Sequence, residues 1–314
     1  MDIQTEKLVV FEQTNCLICS ETNSEEKFSY RDEYGRYAVV RCRACGFHFL
    51  NPRPTQTTIG VYYAADTYTP FLSSSDHEDI FTKLYRAIRR YSVAWKRNKI
   101  ENYFQNGSAL DLGCGTGEFL SEMKRHGWQV AGIEPSPEAA SFAREKLQLN
   151  VVTGTIDSEI AQDQTFDVIT MWHVLEHVHD AERALHNISE KLKPEGILAI
   201  AVPNINSFDA SVYGSEWIAL DPPRHLYHFT PQSMTALLQR ARFSVVATKQ
   251  IPLDTIFNCL MSEIKIIRKR SLIIAPFLGL RLAAVCWWSL IYGWTGKRSS
   301  TVLFFAKKNN HVKN

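Results

Sequence analysis

The chain has 314 residues, of which 45% are hydrophobic, 22% charged and 11% aromatic, with only 15 Gly and 12 Pro. This excludes a disordered, collagen-like or low-complexity polymer and allows about two globular domains. Its 35 Lys and Arg against 33 Asp and Glu leave a formal charge of +2, too little to hold a polyanion by bulk charge alone.

Met1 to Phe11 lacks a basic segment followed by an apolar run. No secretory leader is expected, and the expected location is the cytoplasm, extending to a peripheral place on the inner membrane face. Four of the seven cysteines fall in two C-x-x-C pairs, Cys16 with Cys19 and Cys42 with Cys45, and 22 residues separate the pairs. Two-residue gaps let both thiolates of a pair meet one tetrahedral ion, which points to a zinc ribbon rather than a disulfide framework. Four thiolates close the site, so the zinc is expected to be structural. Four thiolates around Zn2+ also add two negative charges, which cancels the +2. Residues 1–70 are assigned to this ribbon and to a turn-rich linker from Asn51 to Pro70.

Residues 71–314 form the expected second domain. A helix from Asp76 to about Phe104 has one apolar stripe and one basic face, from Lys83 to Lys99. Short apolar strands then alternate with amphipathic helices. The strands start at Ala109, Trp128, Val151, Phe166 and Gly196, and the helices run Phe119 to His126, Pro137 to Leu147 and Ala181 to Leu192. That alternation predicts a parallel, doubly wound α/β sheet. A helix from Pro231 to Ala241 and strands at Phe243 and Thr301 complete it, around an apolar helical insertion at about 251–300. Within the insertion, the 23 residues from Leu272 to Trp294 are mostly apolar, and Pro276, Gly279 and Arg281 interrupt them. If the strands at Phe243 and Thr301 share one sheet, both ends of the insertion lie on the same side and a single membrane crossing is impossible. A helix lying on a membrane surface through 265–298, or roofing an apolar pocket, is expected instead.

The turn D-L-G-C-G-T-G-E-F, Asp111 to Phe119, sits where the first strand meets a helix, with glycines at 113, 115 and 117. Glu134 ends the next strand, 23 residues after Asp111, and is placed to accept from a ribose diol. The third glycine is one residue too early for a dinucleotide fingerprint, and Glu118 follows it. A carboxylate there repels a pyrophosphate at the helix N-terminus. S-adenosylmethionine (SAM) carries no phosphate, and its amino and sulfonium groups suit an acidic strand end.

These residues resemble motif I of the class I SAM-dependent methyltransferases. The resemblance continues through G-I-E-P-S at 132–136, F-D-V-I-T-M-W-H-V-L-E-H-V at 166–178 and L-K-P-E-G-I-L at 192–198, and it covers roughly Gly107 to Ala306. It implies a Rossmann-like sheet of seven strands, the last antiparallel, with SAM as cofactor. By that resemblance Asp111, Gly113, Gly115, Gly117 and Glu134 line the methionine and ribose parts. Thr155 and Ile156 flank adenine, Asp157 accepts from its amine, and Trp172 and His173 lie beneath the sulfonium.

His173-Val-Leu-Glu-His177 also spells an inverted zinc-peptidase pattern, but it follows directly on a strand instead of lying within a helix. Glu176 and His177 are therefore expected to begin the helix after strand four. The loop from Ser215 to Pro231 follows strand five, outside the carboxyl ends of the strands where such sheets hold ligands. Its P-R-H-L-Y-H-F segment resembles that of bacterial methyltransferases encoded among glycan and lipid modification genes. His225 is the first candidate base for a hydroxyl acceptor, ahead of His177 and His228. Arg224 is placed to bind an anionic acceptor, with Trp217 and Tyr227 as further acceptor contacts.

The expected reaction moves a methyl group from SAM to a small-molecule or lipid-linked acceptor, at a hydroxyl of a sugar or polyprenyl-type metabolite. Carbon methylation of nucleotide sugars is not expected, because methyltransferases of that kind join a similar ribbon to a large additional C-terminal domain. One alternative is a ribosomal or transfer RNA methyltransferase that uses the ribbon and the basic helix as a clamp. A second is a membrane-associated scaffold that binds SAM without turnover. Nucleic acid is not the expected partner, and the sequence leaves the oligomeric state open.

Overall fold

The computed structural model describes residues 8–63, 80–155, 164–269, 275–296 and 298–309. The N-terminal part holds five short strands: β1 (Phe11–Glu12), β2 (Ser24–Arg31), β3 (Arg36–Cys42), β4 (His48–Leu50) and β5 (Arg53–Pro54). Strands β2, β3 and β4 form an antiparallel meander, and β1 pairs with β5. The stretch expected to be irregular linker is thus partly ordered, through β5 and a 3-10 turn at Ile59–Tyr62 that buries Ile59. Residues 64–79 of the expected linker and helix start lie outside the described residues.

Helix α1 (Ile80–Glu101) leads into alternating strands and helices. These are β6 (Ser108–Leu112), α2 (Glu118–Arg125), β7 (Gln129–Glu134), α3 (Pro137–Leu147), β8 (Val151–Thr153), β9 (Phe166–Trp172), α4 (Ala181–Lys191) and β10 (Leu192–Pro203). Then follow α5 (Phe208–Tyr213), β11 (Tyr227–His228), α6 (Pro231–Arg240), β12 (Phe243–Gln250), α7 (Pro252–Lys269), α8 (Ala275–Gly296) and β13 (Thr301–Lys308). The main sheet has the order β12-β13-β10-β9-β6-β7-β8, and β13 runs antiparallel to both neighbours. This is the seven-stranded mixed sheet implied by the resemblance. All five residues of β6 and the last eight of β10 are buried, because helices cover both faces of the parallel strands.

Side-chain caps fix the helix starts that set the strand ends. Ser136 accepts from the amide of Ala139 ahead of Pro137, and Asp180 accepts from that of Arg183 at 2.9 Å. Because Asp180 caps α4, that helix begins at Ala181. Glu176 and His177 instead lie in a separate 3-10 turn, Leu175–His177, so the expectation that they start the helix is corrected.

Two further arrangements were not legible in the sequence. Strand β11 pairs antiparallel with β4, Tyr227 opposite Phe49 and His228 opposite His48, so the loop after strand five completes the N-terminal sheet. The rings of Phe47, Phe49, Tyr227 and Phe229 pack together across this seam. The apolar insertion is two helices rather than one. Arg281 of α8 makes a bidentate pair with the buried Glu263 of α7, both contacts 2.8 Å, and Tyr213 donates to the same carboxylate.

Trp217 is fully buried, and its indole N–H donates to Asp209 at 2.7 Å. Trp217→Phe should delete this bond and leave a small cavity, together lowering unfolding free energy by about 2–4 kcal/mol. Urea denaturation checks this, and an unchanged midpoint would show that the bond contributes nothing.

Candidate active site

The turn from β6 into α2 is held open by its neighbours. Gly113 and Gly117 adopt φ of +68° and +82°, and a Cβ at either would stand 2.6 Å from Val174 or 2.5 Å from Leu149. Gly115 (φ +56°) differs: a Cβ there would meet nothing within 4 Å. Its amide donates to Glu134 Oε2 at 2.7 Å, while Glu134 Oε1 accepts from Ser136 at 2.9 Å. Burial raises the Glu134 pKa, and these two amides oppose the rise. A carboxylate has about four acceptor sites, so capacity remains for a ligand hydroxyl. Gly154 donates to the Glu134 carbonyl at 3.0 Å, which sets the exposed Thr155 beside this strand end. Ile156 and Asp157 lie outside the described residues.

Asp111 is buried and accepts from Thr170 Oγ1 at 2.6 Å. Burial pushes its pKa up to about 7, against the Thr170 bond and the Lys96 charge. Lys96, on the helix read as a basic solvated face, turns inward and sits 4.6 Å from the centroid of the Trp172 ring. Trp172 also meets Phe119 edge-on at 5.3 Å. Other charges of α1 are answered locally. Arg89 pairs with Glu118, and Arg97 with Glu101 and Glu122. Glu118 is therefore partly neutralised, and its repulsion of a pyrophosphate is weaker than the sequence implies.

His173 is left-handed (φ +59°), and its Nε2 lies 2.9 Å from Asp254 Oδ2 at the start of α7. Its Nδ1 is 3.6 Å from Glu176. Burial alone would lower its pKa, but Asp254 and then Glu176 outweigh it and raise it to about 9. Asp254 carries no sequence signal, since it lies in the insertion far from every motif. Lys96 was likewise hidden within an ordinary basic helix.

Past His173, the 3-10 turn brings Glu176 and His177 to His225. The two imidazole centroids are 4.5 Å apart, and one ligand atom each from Glu176, His177 and His225 lies within 4.8 Å of the others. Tyr63 Oη reaches His177 Nδ1 at 2.9 Å from the N-terminal part. Burial, and then the neighbouring His225, lowers the His177 pKa to about 4.

The remaining candidates are engaged by the protein itself. Arg224 donates to Asp221 at 2.8 Å. Tyr227 is buried, donates to the His179 carbonyl at 2.7 Å and accepts from Arg53 at 3.0 Å. His228 is buried in β11 opposite His48, and burial holds its pKa well below the usual value. Tyr227 and His228 thus take packing positions in β11, a strand of the N-terminal sheet, and Trp217 is buried against Asp209 of α5.

The four cysteines of the N-terminal part converge. Their Sγ atoms lie within 4.8 Å of one another, with Cys16–Cys45 at 3.4 Å and Cys19–Cys42 at 3.5 Å. Tetrahedral ligation at Zn–S of about 2.3 Å requires sulfurs about 3.8 Å apart, so this donor set fits zinc after a small expansion. Burial raises Cys42, but the amides of Cys45 and Ala44 overcome it and bring the thiol down to about 7.

The His173–Asp254 pair gives a signed pH effect. The folded pKa of about 9 exceeds the ordinary 6.5, so the stabilisation is full below pH 6.5 and is lost as pH rises through 9. Asp254→Asn should bring His173 back toward its ordinary value and flatten the stability decline in that window. Urea midpoints across the window, with the His173 ring titrated by NMR, check this. An identical slope in both proteins would refute the assignment.

Comparison with known proteins agrees with this geometry. The methyltransferase domain family matches residues 78–248, more than half of the chain. A ubiquinone biosynthesis O-methyltransferase of Rhodopseudomonas palustris is 32% identical over 146 residues, 43% of this chain and 58% of that protein. One from Xanthomonas oryzae pv. oryzae is 32% identical over 149 residues, 43% of this chain and 62% of that protein. The chain thus spans about three fifths of the length of these curated relatives. Among solved structures, the cyclase SpnF superposes with TM-score 0.54 at 20% identity, covering 82% of this chain and 97% of that one. Magnesium protoporphyrin IX methyltransferase from Synechocystis PCC 6803, with bound SAH, gives 0.50 at 12% identity, covering 81% and 100%. At such identities the likeness shows the fold alone. The family match, the strand order and the glycine turn agree, and the chain belongs to the methyltransferase domain family.

Proposed function

We propose that the protein transfers a methyl group from SAM to a hydroxyl of a small-molecule or lipid-linked acceptor of the sugar or polyprenyl type. The observation that carries this reading is the open space at Gly115 between two buried strand-end carboxylates, Asp111 and Glu134. When bound, SAM supplies an electrophilic methyl group and leaves as a neutral thioether. Glu134 would hold the ribose hydroxyls, and the Gly113–Gly117 backbone would lie along the methionine part. Asp111 would answer the positive charge of the methionine part, beside the Trp172 ring that already carries Lys96 at 4.6 Å. The relatives named O-methyltransferases support an oxygen acceptor.

A hydroxyl acceptor must lose its proton. His225 Nδ1 lies 2.9 Å from the Ala219 carbonyl and donates to it, so Nε2 is the ring nitrogen left to take a substrate proton. The Glu176–His177–His225 cluster can therefore take that proton directly or through a cation it holds. The ribbon, with structural zinc on Cys16, Cys19, Cys42 and Cys45, would hold β4 against β11 and so fix the loop that carries His225.

Gly115→Asn, a side chain that tolerates the left-handed φ of +56°, should weaken SAM binding at least tenfold by filling the open side of the turn, with the fold retained by near-ultraviolet dichroism. Isothermal calorimetry checks this. Heat from NAD and none from SAM in the wild type would overturn the proposal.

Helix α8 carries an exposed apolar face. Leu280, Trp287 and Trp294 recur every seven residues on α8, so they share a face, and they are 75%, 64% and 84% exposed. Arg298 follows the helix, and Arg268 lies on α7. Interfacial tryptophans flanked by cations suit an anionic bilayer surface. No described helix is long and apolar enough to cross a membrane. Wild-type protein should co-sediment with phosphatidylglycerol vesicles, and a Trp287→Ser, Trp294→Ser double variant should bind several-fold less. Absence of wild-type binding would defeat this contact.

A further inference from the structure

The cluster beyond β9 has an unusual balance of donors and acceptors. Glu176 is fully buried, and neither of its carboxylate oxygens has a hydrogen-bond partner. His173 Nδ1, at 3.6 Å, is outside hydrogen-bonding distance. His177 Nδ1 lies 3.0 Å from the carbonyl of Arg224, and His225 Nδ1 lies 2.9 Å from that of Ala219. A carbonyl only accepts, so both imidazoles donate from Nδ1, which leaves Nε2 of each as the nitrogen open to a ligand. The two imidazoles and the buried carboxylate converge, one ligand atom of each within 4.8 Å of the others, and His173 is the nearest positive charge but too far to hydrogen-bond.

We propose that Glu176, His177 and His225 form a second metal site, which holds a divalent first-row transition cation. Two imidazoles with one carboxylate suit zinc, iron or cobalt better than magnesium or calcium, which prefer all-oxygen shells. The backbone carbonyls that receive the Nδ1 protons are the partners that orient imidazole ligands elsewhere. Asp221 Oδ2, 3.9 Å from His225 Nε2, stands next to the site, and Tyr63 Oη lies behind His177. Three protein ligands leave a coordination position open, unlike the four-cysteine site. On the methyl-transfer reading, that position takes the acceptor oxygen and lowers the pKa of its hydroxyl. The cation site itself does not depend on that reading.

The test uses the full chain with one equivalent of Zn2+ already bound by the cysteines, titrated with Co2+. A second equivalent should bind and give visible d–d absorption without thiolate-to-cobalt charge transfer. Glu176→Gln and His225→Ala should each lose this second equivalent and keep the first. Binding of only one equivalent per chain overturns the site, as does a second equivalent indifferent to both substitutions. If the variants fail to fold, as judged by loss of the first zinc and of near-ultraviolet dichroism, the wild-type stoichiometry and spectrum decide alone. Methyl transfer plays no part in this readout, so its failure and that of the cation site are separable.

Discussion

The arrangement of the cofactor side depends on one buried carboxylate. Glu134 ends β7 almost wholly out of water, where an unmatched charge would be costly. Its two oxygens are met by backbone amides from different segments, Gly115 in the glycine turn and Ser136 at the N-cap of α3. One side chain therefore sets the turn after β6 and the start of the helix after β7 together. With the Gly115 amide drawn toward β7, the opposite side of that residue is left free of neighbours. Ligand space arises here because the backbone is held back, not because large side chains stand apart.

The other rim is built from sequence far removed from the glycine turn. The pairing of β4 with β11 ties the cysteine-bearing meander to the segment after strand five, and Leu50 also donates to the Leu226 carbonyl at 2.9 Å. Arg53 reinforces the seam by pairing with Glu12 and donating to the His179 carbonyl and to Tyr227. These contacts put Tyr63 against His177 and fix the backbone carbonyl of Arg224 that orients the same ring. The N-terminal part thus positions His177 and the segment that carries His225 without contributing to the main sheet. Zinc, by holding four cysteines in two loops of that part, would act on the site at a distance through β4.

How much of this was legible in the sequence follows from the range of each interaction. Strands β6, β7, β9 and β10 and their helices were readable because apolar periodicity and local caps are short-range signals. The cysteine pairs were readable because a metal imposes its own spacing. Trp217, Tyr227 and His228 were misplaced because aromatic and titratable residues in a loop resemble an acceptor site until their partners are known. Those partners are Asp209, His179 with Arg53, and the strand containing His48. Lys96 and Asp254 went unseen for a related reason. Their roles come from tertiary burial, and neither helix advertises which of its charges turns inward.

The insertion shows how a surface feature and an interior one can share a scaffold. Helix α7 places Asp254 on His173 at its first turn and Glu263 on Arg281 further along, so the same helix is held by one ion pair inside the site and another beneath α8. Arg281, which reads in sequence as a break in an apolar run, is the contact that seats α8 against α7 and α5. With that charge satisfied inside, the outward face of α8 is left to Leu280, Trp287 and Trp294. Helix α7 therefore touches both the end of β9, through Asp254, and the inner side of α8, through Glu263.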